Sequence, residues 1–199
     1  FYLGKYEVTQ EEYEKVMGEN PSTFRGKKLP VEMVKWHDAM EFCIKLTELE
    51  RMEGWVPKGW NYTLPTEAQW EYACRAGTAT AYSWGNDINS SRANYNWDGK
   101  PNSGNDFKKT RDVGQYAPNP WGFFDMHGNV WEWALDWKAN YSEGEVSDPE
   151  GRASGSFRVI RGGSWGGDGT TLRSARRGHD TPSNRNNHLG FRVGFQKSK

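Results

Sequence analysis

Thiols, imidazoles, hydroxyls and carboxylates carry most protein chemistry, and in this sequence they are few or widely spread. Cys43 and Cys74 are the only thiols in 199 residues. Two cysteines make at most one bridge, too few for a disulfide scaffold or a four-cysteine zinc site. Cys43 falls on a helical apolar stripe and Cys74 near the end of another helix, which reads as two buried thiols acting as small hydrophobes. His37, His127, His179 and His188 are scattered, and no spacing brings one of them, as a base, to Ser164 as a nucleophile. His127, beside Gly128, reads as a structural hydrogen-bonder, and His179 and His188 as solvated loop residues. The turn DMHGNVWEW offers the carboxylates of Asp125 and Glu132. Such a turn either holds a hard cation, together with backbone carbonyls, or simply bonds its carboxylates to loop amides. Residues 166–188 are rich in Gly, Asp, Thr, Ser, His and Asn, with Arg173, Arg176 and Arg177 among them. Small polar groups with arginines and the neighbouring Trp165 make an adaptable hydrogen-bonding surface.

The elements that would position these groups fall early in the chain. Thr9 and Glu12 form a capping-box pattern, and Gly18 is a stop, which predicts a helix over 10–17. Ala39, Phe42, Cys43, Leu46 and Leu49 recur at spacings of three and four, which predicts a helix over 37–52 with one buried face. Pro65, Thr66 and Gln69 open a third helix near 67–76, closed by Gly77. From 78 to 157 turn residues recur at short intervals, with Trp84, Trp97, Trp121, Trp131, Trp133 and Trp137 among them. Loops this long need anchors, so Trp131, Trp133 and Trp137 read as core. Arg111, Arg161 and Arg192 read as guanidinium cross-links between loops. Strand-like runs are few: residues 2–9, 158–165 and 189–196. With no internal repeat and no linker, the chain reads as one α+β domain.

Composition narrows the function classes. Lys and Arg number 26, as do Asp and Glu, and the pI is near 7.1. No broad positive field is available for phosphate backbones, so nucleic acid is not an expected partner. No window approaches 18 apolar residues, so no membrane span is expected, and residues 1–30 show no signal-peptide pattern. Unbridged thiols are compatible with the cytoplasm, though the compartment itself is not legible. Mean hydropathy is low, at -0.97, yet zero net charge and 15% aromatics favour a folded, loop-rich domain resting on large aromatics.

Seven collinear segments carry a resemblance: GKYEVTQEEYEKVM, LPVEMVKWHDAMEFCIKL, LPTEAQWEYACRAG, YSWGN, NPWGFFDMHGNVWEW, RVIRGGSW and LGFRVGF. In this order and spacing they resemble the formylglycine-generating enzyme (sulfatase-modifying factor) family over nearly the whole chain. The resemblance implies a C-type-lectin-like fold with long loops, and a domain over 1–199 that lacks an upstream strand. Enzymatic members oxidise a sulfatase cysteine through two cysteines that bind copper, and those positions fall near Gly167 and Gly169. No copper is therefore expected. The resemblance also pairs Cys43 and Cys74 with partners that here are Val193 and Ser174, so no bridge is expected. For calcium it implies a site at Asp125, Gly128, Val130 and Glu132. A second would use Asn94, Tyr95, Asn105 or Asp106, and Phe107.

In the family the segment after RGGS forms the face that meets the substrate. Its composition here also resembles the variable proteins of diversity-generating retroelements, in which adenine-directed mutagenesis yields mostly Asn, Asp, Ser, Thr, Gly, His and Tyr. The expected ligand contacts are Trp165, Asp168, Thr170, Thr171, Arg173, Arg177, His179, Asp180, Ser183, Asn184, Asn186, Asn187 and His188. The expected function is a non-catalytic module that binds a protein or other ligand through 165–188. Two alternatives stay open: a sulfatase-modifying oxidoreductase or its divergent descendant, and an accessory domain of a larger complex.

Overall fold

The computed structural model describes residues 1–96, 108–141, 143–149 and 151–198. Three helices stand where their start signals place them. Helix α1 spans Gln10–Met17; the Thr9 hydroxyl accepts from Glu12 N at 3.3 Å and the Glu12 carboxylate accepts from Thr9 N at 2.9 Å. Helix α2, Trp36–Met52, starts on Asp38, whose carboxylate accepts from Lys35 N at 2.9 Å. Ala39, Phe42 and Cys43 are buried as expected, but Leu49 is 42% exposed. Burial fades along the line from Phe42 through Leu46 to Leu49, where the helix runs past the core. Helix α3, Glu67–Arg75, repeats the capping box with Thr66 and Gln69, and it stops at Ala76 in the left-handed region, one residue before Gly77.

The strands are shorter than their patterns suggest. A three-stranded antiparallel sheet has β7 (Gly194–Lys197) between β1 (Tyr2–Leu3) and β2 (Trp60–Thr63), with Phe195 opposite both Tyr2 and Tyr62. A second sheet runs in the order β5 (Gly178–Asp180), β4 (Arg158–Arg161), β3 (Trp131–Trp137), β6 (Leu189–Gly190), with β6 parallel to β3. The expected strand over 189–196 is thus split, and Arg192 turns inward in the gap. Strands β2, β3 and β5 lie outside the expected runs. In WEWALDW the buried charges Glu132 and Asp136 interrupt the apolar alternation by which a strand is recognised.

The main core gathers Trp133, Phe191, Leu189, Phe42, Tyr13 and Leu64 between the helices and both sheets. Its indoles are tied down: Trp36 Nε1 donates to Ala134 O at 2.9 Å and Trp133 Nε1 to Val34 O at 3.0 Å. Trp133 is fully buried, whereas Trp131 and Trp137 are half-buried. Trp137 and Trp36 flank the Arg158 guanidinium, 3.6 and 3.7 Å from the ring centroids. Smaller clusters form around Trp70 with Met126 and around Tyr82 with Leu172. Among the described residues no helix is long and apolar enough to cross a membrane.

Gly128 sits where two loops press close together. Its φ is 99°, and a Cβ there would lie 2.5 Å from Asn94 O. Gly18 is also left-handed, at φ 81°, but faces open space. Gly128→Ala should lower unfolding free energy by about 3 kcal/mol and Gly18→Ala by about 1–2 kcal/mol. Equal losses in urea titrations of the two variants would refute the close approach.

Candidate functional site

Trp165 follows the end of β4 and is held from three sides. Its backbone N donates to Asn129 O at 2.9 Å, its Nε1 donates to Asn187 O at 3.1 Å, and Phe24 meets it edge-to-face at 5.7 Å. A large aromatic fixed in this way presents contact area at little entropic cost. The segment before β6 lies beside it. Asn186 O accepts from Met33 N, His188 O accepts from Trp131 N, and the His188 ring is half-buried, which pushes its pKa down. Trp165, Asn186, Asn187 and His188 therefore form one patch with Phe24, a residue the sequence reading did not single out.

After Trp165 the chain enters a short 3-10 turn, Gly169–Leu172. The Asp168 carboxylate caps it, accepting from Thr170 Oγ1 at 2.6 Å, Thr170 N at 2.8 Å and Thr171 N at 3.3 Å. The Thr170 hydroxyl, more than any other group, holds the Asp168 carboxyl below its ordinary range. Asp168, Thr170 and Arg173 are exposed, while Leu172 is buried against Tyr82, Ala93 and Tyr95. Further on, His179 is exposed in β5 and meets Phe157 edge-to-face. Asp180 accepts from Thr181 N and from Asn184 Nδ2, and Ser183 is exposed at the tip of that turn.

Arg177 departs from the expectation. Its Nε and NH2 donate to Glu67 at 2.6 and 2.5 Å, its NH1 donates to Ala139 O, and it lies 4.0 Å from the Tyr141 ring centroid. A guanidinium so occupied is a cross-link rather than a ligand contact. Arg161 does the same beneath it, reaching Glu71, Ser174 O and Arg176 O.

The thiols and imidazole are sealed. His127 Nδ1 donates to Leu172 O at 2.7 Å, and its Nε2 accepts from Ser83 N and Oγ at 3.2 Å. Burial pushes His127 down to about 4, so the ring is neutral, and pushes the Cys74 thiol, 3.6 Å from Nε2, up to about 12. Cys43 is also buried and its thiol shifted upward by burial. Positions 167 and 169 are closed as well. A Cβ at Gly167 would overlap Thr171 Oγ1, and one at Gly169 would lie 2.8 Å from Ile88 Cγ2.

The carboxylates of the DMHGNVWEW turn lie inside the protein. Glu132 is fully buried and forked onto Arg192, with Nε to Oε2 at 2.7 Å and NH2 to Oε1 at 2.6 Å, while Trp70 Nε1 also donates to Oε2. Asp125 accepts from Gly114 N, and Glu7 accepts from Asn129 Nδ2 and Val130 N. Burial pushes Asp125 up to about 6 and Glu7 well above the ordinary carboxylate range, and Arg192 only partly offsets it. Among the described residues no three His, Cys, Asp or Glu side chains are placed to hold a metal ion. In the second expected set, Asn94 and Tyr95 are buried, and Asn94 Nδ2 donates to Lys109 O and Asn129 Oδ1. Asn105, Asp106 and Phe107 lie outside the described residues.

Beside the Phe24–Trp165 pair a cleft of about 500 Å³ opens, lined by Phe24, Arg25, Lys109, Thr110, Arg111 and Asp112 among others. Glu32 underpins its wall. The residue is fully buried, its Oε1 accepts from Phe24 N at 2.8 Å, and its Oε2 has no hydrogen-bond partner among the described residues. The signal for this cleft was present in the sequence as two basic runs, TFRGKKL and KKTRDVGQ, 80 residues apart.

A family profile described as Sulfatase-modifying factor enzyme 1-like domain matches residues 1–196. The chain is 33% identical over 205 residues to the chaperone protein LppX of Paenibacillus barcinonensis, covering 83% of this chain and 69% of that protein. It is 36% identical over 186 residues to the formylglycine-generating enzyme of Mus musculus, covering 88% of this chain and 46% of that enzyme. It thus spans less than half of the mouse protein's length. Among solved structures, Treponema denticola variable protein 1 superposes with a TM-score of 0.85 at 31% identity, over 98% of this chain and 84% of that one.

Glu32 gives the face a pH dependence. Burial pushes its carboxyl up to about 7, so folding favours the protonated form. Its contribution to stability is full below the unfolded value and lost as pH rises through about 7. Glu32→Gln should therefore narrow the difference in Tm between pH 5 and pH 8, the wild type being relatively more stable at pH 5. An unchanged difference in thermal melts would remove Glu32 as the source.

Proposed function

The chain belongs to the sulfatase-modifying factor enzyme 1-like domain family and has an α+β, C-type-lectin-like fold, and from that premise we propose that it is a binding module that carries out no oxidation itself. The observation behind this reading is the condition of positions 167 and 169. Copper chemistry of the kind the family resemblance implies needs thiolates, because a soft metal ion prefers them. Here both positions are glycine, the space for a side chain is filled by Thr171 and Ile88, and no cysteine follows Cys74. The residues present do not fit copper.

The binding half of the proposal rests on the fixed Trp165 and the row of small polar side chains around it. Trp165, Asn186, Asn187 and His188 would form the centre of the contact. Asp168, Thr170, Thr171 and Arg173 would flank it on one side, and His179, Asp180, Ser183 and Asn184 on another. Arg177 would support the face from behind. The likeness to a Treponema denticola variable protein favours a surface whose exposed residues are exchangeable on a rigid frame. We extend the proposal to diversification of residues 166–188, which would leave the buried cross-links untouched.

Calcium has a role in the same reading. Glu7, Asp125 and Glu132 share the single guanidinium of Arg192, and an interior excess of negative charge fits a divalent cation. Asp125 with the backbone oxygens of Gly128 and Val130 would hold it, while Glu132 gives its oxygens first to Arg192 and Trp70. A second ion at Asn94, Tyr95, Asp106 and Phe107 belongs to the same proposal. Bound calcium would supply charge balance to the loops and no chemistry.

Three measurements test these points. A sulfatase-motif peptide incubated with the protein, copper and oxygen should gain no aldehyde, and one formylglycine product by mass spectrometry would overturn the non-catalytic reading. Chelation should lower Tm, and Asp125→Ala should abolish that dependence; a melt indifferent to chelation would exclude the ion. A reverse transcriptase gene beside a near-copy of the 158–196 coding segment, differing at adenines, is the expected mark of diversification, and its absence would leave a fixed binder.

A further inference from the structure

The cleft beside Trp165 is basic in a chain that is neutral overall. Its two walls come from residues 23–29 and 108–115, joined by a backbone hydrogen bond from Val113 N to Lys28 O at 2.9 Å. These fifteen residues contain six of the 26 basic side chains, Arg25, Lys27, Lys28, Lys108, Lys109 and Arg111, and only one of the 26 acidic ones, Asp112. The remainder of the chain is therefore net acidic. Lys27 pairs with Glu11 across the surface at 3.1 Å. Arg25 and Lys109 enter no ion pair among the described residues, and both line the cleft.

A second observation points to a ligand. Thr110 lines the same cleft, is 1% exposed, and its Oγ1 has no hydrogen-bond partner among the described residues. A buried hydroxyl without a partner costs free energy in the unbound protein. A small opening of the wall on docking would bring a ligand oxygen to it and remove that cost. Phe24 adds an apolar side to the opening, where it meets Trp165.

We propose that this cleft docks an acidic segment of a protein partner, with ligand carboxylates taken by Arg25, Lys109 and the Thr110 hydroxyl and an adjacent apolar side chain seated on Phe24. The inference rests on the reading of the neighbouring Trp165 face as a binding surface and names the chemistry of what it meets. Guanidinium and ammonium donors match carboxylates, Arg in a fork and Lys as a point charge. The size of the cleft suits two or three side chains rather than a track of phosphates. The net acidic remainder of the chain would repel a long polyanion, which favours a short acidic peptide over nucleic acid.

Fluorescence anisotropy with a labelled decapeptide carrying four Glu and one Tyr tests the proposal, beside its Gln counterpart and a labelled ten-nucleotide single strand. The Glu peptide should bind at least about tenfold tighter than either, and the advantage should shrink as salt rises. Arg25→Glu with Lys109→Glu should remove the advantage, while Lys15→Glu with Lys58→Glu, outside the cleft, should keep it. Thr110→Val should weaken the Glu peptide severalfold while Tm stays the same or rises, since the variant removes an unpartnered buried hydroxyl. Equal binding of the Glu and Gln peptides, tighter binding of the oligonucleotide, or indifference to the cleft reversal would overturn it. A partner held through Trp165 with no dependence on Arg25 and Lys109 would overturn the cleft and leave the binding face standing. A Glu-peptide advantage lost on cleft reversal but retained in Trp165→Ala would support the cleft by itself.

Discussion

The fork between Arg192 and Glu132 is the contact on which the other parts of the fold depend. Both side chains are fully buried. All five N–H groups of Arg192 are used: two on Glu132, and the others on Gly4 O, Lys5 O and Phe124 O. One guanidinium thereby joins the chain beyond β1, the loop before β3, β3 itself and the link between β6 and β7. Trp70 brings α3 to the same carboxylate. An ion pair in this setting is a poor source of net stability, because desolvation opposes the Coulomb gain. Its use here is geometric, since only one arrangement of the surrounding loops satisfies every donor.

The same device recurs wherever loops must be held without a large apolar core. Arg161 of β4 and Arg177 of the turn after the 3-10 segment clamp these parts of the chain to α3 through Glu67 and Glu71. Arg158 is stacked between two indoles instead of being paired. Low mean hydropathy and an ordered, loop-rich fold are compatible for this reason. Each guanidinium satisfies between one and three backbone carbonyls, and the tryptophans supply buried area in a few large pieces. The face around Trp165 is fixed by this frame through Asn129 and Asn187.

The helices were legible because their signals are local. Thr9 with Glu12 and Thr66 with Gln69 act over three residues, and the caps formed where they were read. Strand β3 was not legible, since Glu132 and Asp136 are buried there only because partners arrive from residues 192 and 67. Arg177 was read as a ligand contact because its neighbours in sequence are polar and exposed. Its partner, Glu67, stands 110 residues away. Phe24 and the basic cleft were likewise missed, as the two runs that form it meet only in the folded chain.

The sequence alone determined the family resemblance, the lack of any cysteine after position 74, and the polar character of residues 166–188. These are properties of residue type and order, and folding cannot alter them. Only the tertiary structure decided that the two thiols and His127 are sealed, that Glu132 is first a counter-ion, that side chains at positions 167 and 169 would press on Thr171 and Ile88, and that Arg25, Lys109 and Thr110 share one cleft beside Trp165. Each of those depends on what lies within a few ångströms across a long stretch of chain. Burial and partner geometry set the charge and reach of a side chain, and both are products of packing.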